Sequence, residues 1–216
     1  MPAGRFTDVG FGISAVTTHE LSLAFPDREV VGVEVNGAHV ETARREFPQL
    51  RFLAGDLQTL RAEPPSALIR LANVGRGLTK DAAETLHADV LPLLVDGGVC
   101  LEGSTDIEGH VSAFWVLRRR GEALSKEALV LHTDGARGFS PWLFRDVLPR
   151  ELRRDVKPGT AVYALFTAWT EVWERVRTAD PLESFVASAN ALHRPGLDVR
   201  FVGDGFVGWS PTLASG

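Results

Sequence analysis

The sequence predicts an α/β fold, a three-layer α/β/α sandwich around a mostly parallel sheet with a C-terminal helical elaboration. Short apolar runs recur at residues 6–9, 30–34, 51–54, 67–71 and 99–102. Helical stretches separate most of them, at the spacing of βαβ units. The run at 30–33 is β-branched and almost uninterrupted in apolar character, as a strand covered on both faces must be.

The elements follow in order. Residues 6–9 run straight into Gly10-Phe11-Gly12, and a helix carrying Ala15, His19, Leu21, Leu23 and Ala24 ends at Phe25-Pro26. After the second strand, Asn36 is placed to cap a helix over about 38–47, closed by Pro48. The third strand leads into Gly55-Asp56-Leu57, and Pro64-Pro65 marks the loop before the fourth. Thr79 is placed to cap a helix with Ala82, Ala83, Leu86, Val90 and Leu91 on one face, and Gly97-Gly98 reads as a turn before the fifth strand.

Beyond residue 105 the pattern changes. Residues 113–117 and 129–132 read as an antiparallel pair, and Ser140-Pro141 as the start of a helix through Leu148. Residues 162–176 form an amphipathic helix with Leu165, Phe166, Trp169, Val172, Trp173 and Val176 on one face. Asp180-Pro181-Leu182-Glu183 opens another helix, ending near His193 before Pro195-Gly196. Residues 199–202 and 206–209 read as short terminal strands. The expected organisation is a core over 1–135 and an elaboration over 136–216, packed on it as one domain.

Composition narrows the class. Of 216 residues, 44% are hydrophobic and 24% charged, which excludes disordered and fibrous chains. No apolar run approaches the ~18 residues of a membrane helix, and the N-terminus has no signal-peptide core. The single cysteine, Cys100, cannot form an intrachain disulfide, and no Cys/His cluster has metal-ligand spacing. A cytoplasmic protein without metal is expected. The net charge of −5 is uneven: residues 1–108 carry 9 basic and 16 acidic side chains, residues 109–216 carry 14 and 12 together with all five tryptophans.

The chemistry is concentrated at three successive strand ends. Asp8-Val9-Gly10-Phe11-Gly12-Ile13-Ser14 joins a strand to a helix, where glycines allow a sharp turn and close approach of a ligand. Glu34 ends the second strand, 22 residues after Gly12, where a carboxylate can accept hydrogen bonds from both hydroxyls of a ribose. Asp56 follows the third strand, where it can meet an adenine amine. Ligands of open parallel sheets bind at these carboxyl ends.

These segments, with Leu94-Val95-Asp96-Gly97-Gly98-Val99 before the fifth strand, resemble the motifs of class I S-adenosylmethionine-dependent methyltransferases over residues 5 to about 105. The resemblance implies a Rossmann-like core and S-adenosylmethionine as cofactor. It places Gly10, Phe11, Gly12 and Ser14 in the cofactor loop, with Asp8 ordering that loop and meeting the amino group. It puts Glu34 on the ribose, Asp56 and Leu57 beside the adenine, and Asn73 near the methionine part and the substrate. Ser14 stands where the motif has a third glycine, and Asp96 where it has proline.

Two other readings use the same residues. Gly10-x-Gly12-x-x-Ala15 with Glu34 also fits a dinucleotide fingerprint, hence an NAD(P)-dependent oxidoreductase. The acidic Asp8, which would face a pyrophosphate, and the lack of Tyr-x-x-x-Lys (Tyr163 is followed by Thr167) weigh against it. The third reading is a non-catalytic nucleoside-binding protein of the same fold. A small-molecule substrate is expected, since the chain has no Asp/Asn-Pro-Pro-Tyr/Phe run and no Pro-Cys pair. Nucleic acid stays open as a partner: Arg118, Arg119 and Arg120 could touch phosphates, although a solvated edge strand explains them as well. The Trp169/Trp173 stripe fits core or a homodimer contact. Asp106 and His19 are the candidate bases.

Overall fold

The computed structural model describes residues 1–76, 78, 80–192, 199–203 and 206–209, with the backbone alone at 80, 83, 199–203 and 206–209. Thr79, His193 and Pro195-Gly196 lie outside the described residues. The strands are β1 (Arg5–Val9), β2 (Val30–Glu34), β3 (Arg51–Ala54), β4 (Ser66–Ala72), β5 (Leu94–Thr105), β6 (Val111–Arg120), β7 (Ala123–Thr133), β8 (Val199–Gly203) and β9 (Phe206–Trp209). The helices are α1 (Val16–Ala24), α2 (Gly37–Glu46), α3 (Lys80–Val90), α4 (Arg150–Arg154), α5 (Ala161–Val176) and α6 (Pro181–Ala191). Strand order is β3-β2-β1-β4-β5-β6-β7-β9-β8. This is the predicted Rossmann-like α/β fold: β1 pairs in parallel with both β2 and β4, and β2 with β3. The pairs β7–β9 and β8–β9 are antiparallel.

The chain divides into two compact units, one of Met1–Glu102 and Leu117–Ser125, the other of Gly103–Val116 and Lys126–Gly216. In the first, β1 and β2 are buried at every position, as the apolar run predicted. Phe11, Ala15, Val40, Ala43 and Phe52 form one cluster that seats α2 on β3. Gly32 makes this packing feasible: a Cβ there would lie 2.6 Å from the Phe52 ring and 3.1 Å from that of Phe11. Asn36 caps α2 as expected, its Oδ1 accepting from Ala38 N at 3.0 Å.

Two expectations in this unit are corrected. Gly97-Gly98 makes no turn ahead of β5, because the strand runs from Leu94 straight through both glycines, with Gly97 at φ 75°. The arginine run is not on an edge strand, since β6 lies between β5 and β7. Arg118 donates to Gly97 O at 2.8 Å, and Arg119 to Leu94 O at 2.5 Å and Leu91 O at 3.3 Å. These guanidiniums satisfy backbone carbonyls, the common fate of a polar group inside a fold.

In the second unit, the helix expected after Ser140 is the 3-10 helix Pro141–Asp146, and Ser140 makes no side-chain cap. Phe144, Phe166, Trp169 and Phe185 are buried together, with Trp169 Nε1 donating to Ser188 Oγ at 2.9 Å. Trp169 is therefore core. Asp180 caps α6, its Oδ1 accepting from Leu182 N and Glu183 N. No helix among the described residues is long and apolar enough to cross a membrane.

Candidate functional site

At the end of β1 the chain turns at once. Gly10 N donates to Val33 O at 2.7 Å, and Gly10 and Gly12 adopt φ of 74° and 76°. The two glycines serve different ends. A Cβ on Gly10 would lie 2.8 Å from Val74 Cγ2, so its absence lets the loop after β4 close on the loop after β1. A Cβ on Gly12 would meet nothing within 4 Å, so the loop is open there. Gly12→Ala is expected to cost only the left-handed penalty, about 1 kcal/mol of stability, while obstructing a ligand. Gly10→Ala adds a clash and should cost roughly 2–3 kcal/mol. Urea unfolding of the two variants reads the difference; equal losses would contradict this division of roles.

Glu34 is buried and ties the site together. Its Oε2 accepts from Gly12 N at 3.0 Å, and its Oε1 from Asn36 N at 3.0 Å. One carboxylate thus links the glycine loop to the start of α2. A carboxylate has about four acceptor positions, so capacity for two further donors remains. Val35, the next residue, is 72% exposed, and Ile13 is 80% exposed. Val35 directly follows Glu34 and Ile13 directly follows Gly12, whose amide donates to Glu34, so each strand-end feature is followed by an exposed apolar residue.

Asp8 is fully buried. Its Oδ1 pairs with Arg70 Nη1 at 2.9 Å, and its Oδ2 accepts from Thr18 Oγ1 at 2.8 Å and Thr17 Oγ1 at 3.1 Å. The acid therefore orders the loop by fastening β1 to β4 and to α1. Its charge is met inside the protein, so it does not by itself repel a pyrophosphate. Sequence reasoning missed Arg70, whose signal was a lone charge inside an apolar strand, which needs a buried partner.

The remaining candidates separate into lining and support. Phe11 is buried edge-on against Phe52, ring centroids 5.4 Å apart, so its side chain belongs to the core and only its backbone reaches the loop surface. Ser14 is exposed beside the loop. Gly55 N donates to Glu34 O at 3.0 Å, which brings the third strand end next to the second. Asp56 is exposed; its Oδ1 accepts from Gln58 N at 2.8 Å and shapes the following turn, and Oδ2 has no partner among the described residues. Leu57 is buried beside it. Asn73 is exposed at φ 63°, a left-handed conformation that asparagine tolerates better than most residues.

Both candidate bases are engaged by neighbouring groups. His19 stacks on Phe47 with centroids 4.6 Å apart. Asp106 is partly desolvated, which raises its pKa, but the Val111 amide and the Arg137 guanidinium outweigh that and hold it below the usual carboxylate range. Cys100 is buried, and burial pushes its thiol up, away from nucleophilic chemistry.

No family model and no curated protein sequence matches the chain. Among solved structures it is similar to a TehB-like SAM-dependent methyltransferase from Corynebacterium glutamicum, with 21% identity, TM-score 0.40, 52% of this chain and 68% of that one covered. It is also similar to an S-adenosylmethionine-dependent methyltransferase from Clostridium acetobutylicum, with 14% identity, TM-score 0.38, and 59% and 57% covered. A third is the N-methyltransferase NodS from Bradyrhizobium japonicum, with 18% identity, TM-score 0.40, and 47% and 58% covered. The matched stretches span less than two thirds of the latter two chains. The likeness is one of fold, and the parallel order β3-β2-β1-β4 with its glycine turn after β1 identifies that fold in this chain as Rossmann-like α/β.

Proposed function

We propose that this chain is an S-adenosylmethionine-dependent methyltransferase acting on a small molecule. The observation that carries the reading is Glu34: a buried strand-end carboxylate, held by the Gly12 and Asn36 amides, with acceptor capacity left over beside an open glycine turn. That pair of acceptor oxygens fits a vicinal diol, whose two hydroxyls donate. Glu34 would hold the ribose, Gly12 and the Phe11 backbone would pass under the methionine part, and Asp8 would keep the loop in place from below. Val35 and Leu57 would bracket the adenine, and the Asp56 Oδ2 would accept from its amine. Ser14 and Asn73 would line the two ends.

The cofactor supplies a methyl group already activated on a sulfonium. The protein's share is alignment and shielding from water. That demand explains why the sequence carries no conspicuous catalytic signature.

The test is a thermal shift with S-adenosylmethionine, S-adenosylhomocysteine and NAD(P)H. A ligand at 100 times its Kd adds about 2.7 kcal/mol, roughly 5–10 °C in Tm for a chain of this size. Stabilisation by the two adenosyl ligands is expected. Stabilisation by NADH or NADPH alone would overturn the reading in favour of an oxidoreductase.

A further inference from the structure

A histidine–carboxylate pair lies against the loop that follows β4. His87, in the last turn of α3, and Glu102, in β5, approach to 2.8 Å between Nε2 and Oε2. Their side chains are 27% and 14% exposed, sheltered yet within reach of a ligand. A Cβ on Gly75 would lie 2.7 Å from Glu102 Oε1, so the carboxylate rests directly on the loop backbone, and glycine at 75 is what leaves it room. The preceding residue, Val74, is the one whose methyl fills the space over Gly10. A continuous run of contacts thus leads from Glu34 through Gly12 and Gly10 to Val74, Gly75, Glu102 and His87. By comparison, the pair His110–Asp134 is more open, at 33% and 45%.

We propose that His87 is the general base of the methyl transfer and that Glu102 is its positioning residue. The acceptor class is then a small molecule whose nucleophilic atom carries a proton, a hydroxyl or an amine. This rests on the methyltransferase reading above. With Glu102 ionised, His87 Nε2–H donates to Oε2, which leaves the lone pair on Nδ1. Nδ1 takes the acceptor's proton while the acceptor's electron pair forms the new bond to the methyl carbon. The carbon–sulfur bond breaks, and its pair stays on sulfur as a neutral thioether. The imidazolium, stabilised by Glu102, then gives its proton to water. Such base assistance contributes typically about 10²–10⁴-fold.

The test needs no identified acceptor. S-adenosylmethionine and S-adenosylhomocysteine differ by a methyl group and one positive charge, so only a group near the transfer position distinguishes them electrostatically. The histidine resonances of the full chain are titrated by NMR in each saturated complex, with saturation checked by calorimetry. His87→Gln identifies its signal among the six histidines; sequential assignment serves if that variant does not fold. The His87 midpoint is expected roughly one pH unit lower with the sulfonium ligand, the scale of a unit charge several ångströms away in a partly solvated site. Coincident midpoints in two saturated complexes would overturn the role of His87 alone. Failure of both ligands to bind would overturn the methyltransferase reading and this proposal with it. Glu102→Gln is expected to turn the neutral Nε2–H imidazole into a mixture of tautomers, visible in its 15N shifts; an unchanged tautomer would remove Glu102 from the proposal.

Discussion

Glu34→Ala is expected to weaken S-adenosylhomocysteine binding at least about 100-fold, because each hydrogen bond to a charged group contributes about 1.5–3 kcal/mol and two are removed at once. The substitution also strands the Gly12 and Asn36 amides, both of which donate to this carboxylate at 3.0 Å. The loop then loses the contact that holds it in register with α2. Glu34→Gln keeps the size but replaces one acceptor oxygen by a donor, so its loss should be intermediate, about tenfold. Calorimetry measures both, with circular dichroism as the check on folding. Wild-type affinity in Glu34→Ala would contradict the ribose role.

The second large effect is on stability. Arg70→Met leaves Asp8 fully buried with two threonine hydroxyls and no cation. Breaking a buried pair from one side costs about 3–5 kcal/mol. The Arg70 side chain is 19% exposed, so the lower end, about 3 kcal/mol, is expected from the midpoint of urea unfolding. Asp8→Asn keeps the shape and leaves a guanidinium that still reaches water, and should cost less. The double variant should recover part of the loss, with a coupling of roughly 1–3 kcal/mol. Strict additivity of the two single changes would mean that the 2.9 Å pair contributes nothing of its own. Affinity is expected to fall in Arg70→Met as well, since Asp8 orders the start of α1 beneath the loop.

How far the site was legible depended on distance along the chain. Asp8, Gly10, Gly12 and Glu34 could be read because each sits at a strand end, and a short, nearly continuous apolar run with a sharp stop marks such an end. Asn36 and Asp180 could be read as caps for a similar local reason: the backbone amides they satisfy lie two or three residues on. Arg70 could not be paired with Asp8 beforehand, because the two are 62 residues apart and meet only through the β1–β4 register. Glu102 could be placed at the end of the fifth strand, where substrates approach, but its pairing with His87, 15 residues away on another element, could not be read for the same reason. The arginine run misled because charge on a strand was taken for an edge, whereas β6 is interior and Arg118 and Arg119 bond carbonyls of Leu91 and β5.

By itself the sequence determined the alternation of strands and helices, the glycine turn and the acids at successive strand ends. These follow from backbone sterics, capping and apolar periodicity, which act over a few residues. Only the tertiary structure decided that Gly10 makes room for Val74 whereas Gly12 faces open space, that Phe11 is core, and that Asp8 is spent on Arg70. It also brought Glu102 and His87 together under Gly75. Which side chains meet across parallel strands depends on register and crossover, and these are set by burial of the whole sheet rather than by any local run.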